Sequence, residues 1–416
     1  MLRSCRVSRG KRLALYVVEL MACGLLGEVP PPIPRSCAWN DVWGLVEKGN
    51  LAGVTWHGVR NLADVPAELR SRWERAALVT MVNNVQLAAE RDAIGSELAA
   101  AGMGYMPLKG SVIAPLYPAL DMRSMSDVDI LYGYLEPSDD GVWHVRGSTD
   151  EQRLDAMRRA QIDLEPIMTG LGYAVRKRSD VAESHDTMYM KPPFFTFEMH
   201  HALVEDWLDD GGFFDNPWAH ARPVAQDAET PGGLRFSMSP EDRYLYHVVH
   251  ALKHERYGGL GIRFLADWYV LLAAMGDDAD HGYIRASLES IGAASFEREY
   301  RDLVDAVFSH RVIERRHIGM LVHMVRGGTF GSAADHMKND VAIRRKRGAA
   351  HPRLDIIRYT LSVDRLGKSP ALNRVAASPV LRPLYPVIKF IFVCGSTLRH
   401  PVSMGKKLGA FLRGRS

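Results

Sequence analysis

Cysteine is scarce in this sequence. Only Cys5, Cys23, Cys37 and Cys394 occur in 416 residues, and none forms a CxxC pair. That is too few for a disulfide framework at this length, so a reducing, cytoplasmic setting is expected. Long apolar runs are also missing: no uninterrupted stretch approaches the roughly 18 residues a spanning helix needs. Neither a Walker A pattern nor a G-x-G-x-x-G is present, which excludes the usual P-loop and Rossmann readings. The net charge of +3 is too small by itself to argue for nucleic acid. Internal repeats and long low-complexity tracts are absent.

What is present is core-forming material. Hydrophobic residues make up 47% of the chain, enough for two or three packed units. Residues 12–27, 39–48 and 66–101 read as helices. The first follows Arg3, Arg6, Arg9, Lys11 and Arg12 and has the outline of a signal peptide. Glu19 interrupts its apolar run, however, and Leu13, Tyr16, Val17, Leu20 and Leu25 fall near helical spacing, so an amphipathic helix is expected. The EVPPPIP segment stops it, because clustered prolines cannot continue a helix. Residues 132–150 are rich in turn formers and read as a loop. A helix is expected over 150–171, then strands in YAVRKR, SHDTMYMK (184–191) and FFTFEMHHAL (194–203). Further helices are expected over 240–256, 262–275, 283–292, 296–309 and 312–326.

This layout divides into an N-terminal helical region (1–101), a small α/β core (102–235), a helical domain (236–332) and an irregular basic region (333–416). Ten Lys or Arg and no Asp or Glu lie between Arg365 and Ser416. Such a stretch suits an anionic partner, nucleic acid or membrane phosphate, or is simply a solvated tail.

The chemistry concentrates in LKGSVIAPLYPALDMRSMSDVDIL, residues 108–131. In a strand, residues i and i+2 project from one face. Asp127 and Asp129 would therefore share a face, with Val128 and Ile130 turned toward a core. Paired carboxylates repel unless a cation joins them, and hard divalent ions take oxygen ligands while keeping waters for phosphates. FFTFEMH alternates in the same way: Phe195, Phe197 and Met199 on one face, Thr196, Glu198 and His200 on the other. Glu198 is a candidate third ligand or base if its strand pairs with SDVDIL; otherwise it is a carboxylate on a solvated sheet face. Gly110 and Ser111 open a short helical stretch whose backbone could approach phosphate, with Lys109 and Arg123 adding positive charge.

These pieces together, LKG followed by LYP, then MRSMSDVDIL, then FEMHHAL, resemble the uncharacterised nucleotidyltransferase family. That family belongs to the DNA-polymerase-beta-type nucleotidyltransferase superfamily. SPEDRYLYHVVHALKH and GGLGIRFLADWYVLL resemble its helical region, so the likeness covers roughly residues 10–330. It implies an α+β fold: a small mixed β-sheet core flanked by helices, with an N-terminal helical arm and a C-terminal helical domain. It implies transfer of a nucleoside monophosphate from a nucleoside triphosphate such as ATP, with Mg²⁺ or Mn²⁺, to a hydroxyl of a small molecule, glycan or protein. Carried over by position, Lys109, Gly110, Ser111 and Arg123 would hold the nucleotide. Asp127, Asp129 and Glu198 would hold metal and carry catalysis. Ser111 and Asp127 stand farther apart than is usual in the superfamily at large, so a different acceptor pocket is expected.

Other residues are cleft candidates beside a blander reading. His247, His250 and His254 fall near one face of a helix. His250 and His254 have the i, i+4 spacing of zinc ligands, but HALKH lacks the glutamate of a metalloprotease. Arg263 and Asp267 are spaced for a helical ion pair or for the cleft. His185 and Asp186 precede a strand, and GGTFGS (327–332) reads as a turn or a phosphate loop. A regulatory or anion-binding protein on the same scaffold is the alternative function.

Overall fold

Two segments of opposite local character set the architecture: β-rich strands of period 2 and longer helices of period 3.6. The computed structural model describes residues 8–177, 186–204, 212–224, 234–309, 311–328, 384–386 and 388–389. The chain is α+β. Four helices come first: α1 (Arg9–Leu26), α2 (Trp39–Lys48), α3 (Ala52–Val59) and α4 (Ala67–Ala100). Then come β1 (Gly104–Leu108), the short helix α5 (Gly110–Ile113), a 3-10 turn (Ala114–Leu116), β2 (Val128–Gly133), β3 (Leu135–Pro137) and β4 (Trp143–Val145). Helix α6 (Asp150–Gly170) leads to β5 (Ala174–Lys177), β6 (Asp186–Lys191), β7 (Phe195–His200), β8 (Ala221–Pro223) and β9 (Phe236–Met238). The remaining helices are α7 (Pro240–Tyr257), α8 (Arg263–Met275), α9 (His281–Ser290), α10 (Ala294–Phe308) and α11 (Arg315–Gly327).

The main sheet has the order β1-β2-β7-β6-β5. Its β2–β7 pair is parallel, and the other neighbours are antiparallel. One face is apolar by strand alternation. Val128, Ile130, Phe197 and Met199 pack there against Leu87, Ile94 and Leu98 of α4 and Ala160, Leu164 and Met168 of α6. A capping box at Thr149 and Gln152 starts α6, satisfying backbone N–H groups that the first turn leaves open. The opposite face of β2 and β7 carries Asp129, Thr196, Glu198 and His200, with Leu131 among them.

Two expectations from the sequence are corrected. Residues 132–150 are not a loop: β3 and β4 form an antiparallel hairpin with Leu135 opposite Val145. Its strands are three residues each, too short for alternation to outweigh the turn formers around them. Helix α1 is not amphipathic in its setting, since every residue from Ala14 to Leu25 is buried. It packs against α3 on one side and α11 on another, so no face of this stretch is left to solvent, Glu19 included. The α1–α3 approach is backbone to backbone: a Cβ on Gly24 would stand 2.0 Å from the Val54 carbonyl oxygen.

The chain divides into two compact units, Met1–Lys253 with Gly261–Thr329, and His254–Leu260 with Phe330–Ser416. The sheet and the site below belong to the first. Among the described residues no helix is long and apolar enough to cross a membrane. His185, most of GGTFGS and nearly all of the basic stretch 365–416 lie outside the described residues.

Candidate active site

The register of the sheet assembles the site. Asp129 is the Cα partner of Leu108 on one side and of Glu198 on the other. Asp129, Glu198 and His200 each offer a ligand atom, and these atoms all lie within 4.8 Å of one another. Asp127 lies just before β2, half-buried, with its Oδ1 accepting from Ser126 at 3.2 Å. It stands outside that tight group, though its charge reaches Glu198.

Asp129 is buried and holds two donors on one oxygen. Lys109 Nζ donates to Oδ1 at 2.5 Å and His200 Nε2 donates to it at 2.8 Å. Burial opposes ionisation, but the Lys109 charge and the His200 hydrogen bond hold Asp129 well below the usual carboxylate range. Burial, with the Lys109 charge beside it, depresses His200, so the imidazole is neutral and orients Asp129 through its N–H. Burial, then the charges of Asp129 and Asp127, pushes Glu198 up to about 8. Asp127 is raised for the same two reasons, burial and the Asp129 charge. The face is therefore short of cations for its carboxylates, and Lys109 alone does not meet the need.

Lys109 reaches Asp129 because it follows β1 directly. Its backbone sits at φ 49°, ψ −122°, a region that a non-glycine residue occupies at a cost of about 1–3 kcal/mol. The next residue is Gly110, where a Cβ would stand 2.7 Å from Arg123 Nη1. Ser111 is buried and its hydroxyl donates to the Leu108 carbonyl at 2.8 Å.

The long connection from Ser111 to Asp127 is pinned by three helices. Asn84 of α4 donates to the Leu120 and Arg123 carbonyls, both at 2.8 Å. His57 of α3 meets Asp121 at 2.8 Å. Arg263 of α8 donates to the Ser124 carbonyl at 3.0 Å. Arg123 makes a fork to Asp267, Nε to Oδ1 at 2.7 Å and Nη2 to Oδ2 at 2.9 Å. Tyr117 donates to the same Oδ1 at 2.7 Å. Burial opposes the Asp267 charge, yet the Arg123 guanidinium holds it below the usual range. The i, i+4 pairing of Arg263 with Asp267 is thus replaced by the distant Arg123. The tertiary fork satisfies both carboxylate oxygens, which a single helical contact cannot.

Behind Lys109, Gly110 and Ser111 lies a cavity of about 360 Å³, within the size range of small-ligand sites. Lys109, Arg123 and Arg263 line it with Arg91, Arg235 and Arg243, and the one carboxylate in its lining among the described residues, Asp267, is already paired. His247 and His250 also line it. Burial pushes His247 down to about 4, so it is neutral, and its Nε2 is buried without a hydrogen-bond partner. Arg243 Nε is likewise buried and unpartnered. Such a wall suits a polyanion.

Of the residues expected from sequence, Lys109, Gly110, Ser111, Arg123, His250, Arg263 and Asp267 line this cavity. Asp129, Glu198 and His200 form the neighbouring cluster, and Lys109 bridges the two. His254 falls in the second unit. Arg91, Arg235 and Arg243 were missed. They come from α4, from the residue before β9 and from α7, and no local motif links them; their shared charge was the only available signal.

The sequence profile of the uncharacterised nucleotidyltransferase family matches residues 35–135 and 157–309. No curated protein and no solved structure matches the chain significantly. The matched segments span more than half of the chain and contain β1, β2 and β7 with the whole cluster, so the chain belongs to the uncharacterised nucleotidyltransferase family.

Proposed function

We propose that the protein transfers a nucleoside monophosphate from a nucleoside triphosphate to an acceptor hydroxyl, in the manner of the DNA-polymerase-beta-type superfamily. One observation carries this reading: a buried carboxylate cluster stands next to a cavity walled by six cationic side chains, joined to it by Lys109. The parallel β2–β7 pair, the D-x-D and the Gly-Ser turn support the superfamily assignment.

The donor set fits Mg²⁺ or Mn²⁺. Asp129 and Glu198 offer hard oxygen ligands, and the raised Glu198 marks carboxylate charge that a cation would relieve. Asp127, Asp129 and Glu198 would hold the ion. When bound, it supplies charge neutralisation for the phosphates and lines up entering and leaving oxygens. His200 keeps Asp129 in place. Lys109, the N–H groups of Gly110 and Ser111, and Arg123 Nη1 face the triphosphate. The acceptor oxygen attacks the α-phosphorus, the bond to the β-phosphate oxygen breaks, and pyrophosphate leaves. Glu198, pushed up to about 8 by burial and the neighbouring carboxylates, orients the acceptor hydroxyl or takes its proton.

The test is incubation with each labelled triphosphate, Mg²⁺ and cell extract. Label should pass to an acceptor with release of pyrophosphate, and the Asp127→Asn/Asp129→Asn double variant should abolish it. A wild-type protein that binds no triphosphate in the presence of metal overturns the reading.

A further inference from the structure

Asp129 receives two donors on Oδ1, and one of them is a full cation. The Lys109 ammonium lies 2.5 Å from that oxygen, is largely buried, and adds its charge beside both Asp129 and Glu198. It sits on the carboxylate that a divalent ion in this cluster would use, and among the described residues no second Lys or Arg forms an ion pair with Asp129, which also meets His200 Nε2 at 2.8 Å. The same side chain lines the cation-walled cavity. Lys109 follows β1 directly, and its backbone sits at φ 49°.

We propose that Lys109 is an internal counter-ion that occupies the metal position of the resting site and must leave Asp129 before a divalent cation binds. This rests on the nucleotidyltransferase reading. Two consequences follow from electrostatics alone. An ammonium and a divalent ion cannot share one carboxylate oxygen at contact distance without strong repulsion, so the metal competes with Lys109. A polyphosphate in the adjoining cavity gives the released ammonium a new anionic partner. Phosphate and metal then assist each other, since coupling between two sites is reciprocal. The site is closed to free metal and opens when the anion arrives.

The experiment is titration of the full-length protein with Mn²⁺ alone, followed by electron paramagnetic resonance of the free ion, for wild type, Lys109→Met and Lys109→Gly. Both variants remove the ammonium, and glycine also suits the positive φ, so the pair separates loss of charge from loss of fold. The expected result is Mn²⁺ binding tighter by about tenfold or more in both variants, the effect of removing one contact charge at partial burial. Asp129→Asn should abolish the gain. A second readout uses wild type only: amine-directed labelling followed by mass spectrometry should modify Lys109 slowly without metal and faster with saturating Mn²⁺. Equal or weaker Mn²⁺ binding in folded Lys109 variants, with unchanged labelling, overturns this inference and leaves the proposed function standing. Failure of every form, the Lys109 variants included, to bind Mn²⁺ alone also overturns this inference; the proposed function falls only if wild type binds no triphosphate in the presence of metal.

Discussion

Asp129 and Glu198 face each other as register partners across the one parallel pair of the main sheet. Strand pairing brings their charges together, and burial keeps water from separating them. In the metal-free protein this makes stability pH-dependent. Glu198 ordinarily loses its proton near 4.5 but holds it to about 8 when folded. Between those values the folded form binds the extra proton, so stability falls as pH rises. Urea unfolding in chelator should show wild type losing stability between about pH 5 and about pH 8.5 relative to Glu198→Gln, which removes the titration. Identical pH profiles for the two proteins would show that Glu198 ionises normally.

The Arg123–Asp267 fork is the second buried charge device, and it makes a different forecast. Asp267→Ala leaves a fully desolvated guanidinium and the Tyr117 hydroxyl without their acceptor. Breaking one side of a buried pair costs about 3–5 kcal/mol. Replacing both partners by apolar residues of similar volume, Arg123→Met with Asp267→Leu, should cost much less than the sum of the single changes. A double-mutant cycle by denaturant unfolding measures the difference. Additive losses would mean that the fork contributes no interaction energy.

The site was legible in sequence where its geometry is local. The period of two put Asp127 with Asp129 on one face of SDVDIL, and Glu198 with Thr196 and His200 on one face of FFTFEMH, because alternation follows from backbone pleat alone; Asp127 lies one residue before β2, outside the cluster of Asp129, Glu198 and His200. Their pairing needed the parallel β2–β7 register, which the order of the segments does not fix. The fork from Arg123 to Asp267 joins residues 144 apart, so local spacing suggested only Arg263 as an ion-pair partner, while the alternative reading of Arg263 and Asp267 as cleft residues agrees with their place in the cavity wall. The β3–β4 hairpin and the eight-residue α3 were hidden by their shortness. Helix α3 nevertheless positions the candidate site, since its His57 holds Asp121 in the loop that carries Arg123.

The same helix carries the tightest packing in the N-terminal region. Gly24 of α1 and Gly58 of α3 let the two backbones touch: a Cβ on Gly58 would stand 2.9 Å from the Leu20 carbonyl oxygen. Carbonyl oxygens on a helix cannot yield as a flexible side chain can. Gly24→Ala should therefore destabilise by about 1–3 kcal/mol or more, as overpacking does. Gly44 is the control. It is exposed within α2, and a Cβ there meets nothing within 4 Å. Gly44→Ala should be neutral or stabilise by up to about 1 kcal/mol through helix propensity. Thermal unfolding of the two variants side by side tests the contrast.

Arg243 separates the needs of binding from those of folding. Its Nε is buried without a partner, its Nη2 reaches only the Met238 carbonyl at 3.5 Å, and burial depresses its pKa. No carboxylate pairs with it among the described residues. A cation kept in that state weakens the fold, and its position in the cavity wall would let it meet the phosphates of the proposed ligand. Arg243→Met should raise the stability of the ligand-free protein by about 1 kcal/mol, the cost of one unsatisfied buried donor. The same change should weaken magnesium–triphosphate binding by about tenfold or more, because a hydrogen bond to a charged group contributes about 1.5–3 kcal/mol. Unfolding curves and calorimetric titration on one preparation read both signs. A variant that loses stability while keeping its affinity would place Arg243 in the scaffold and remove it from the phosphate wall.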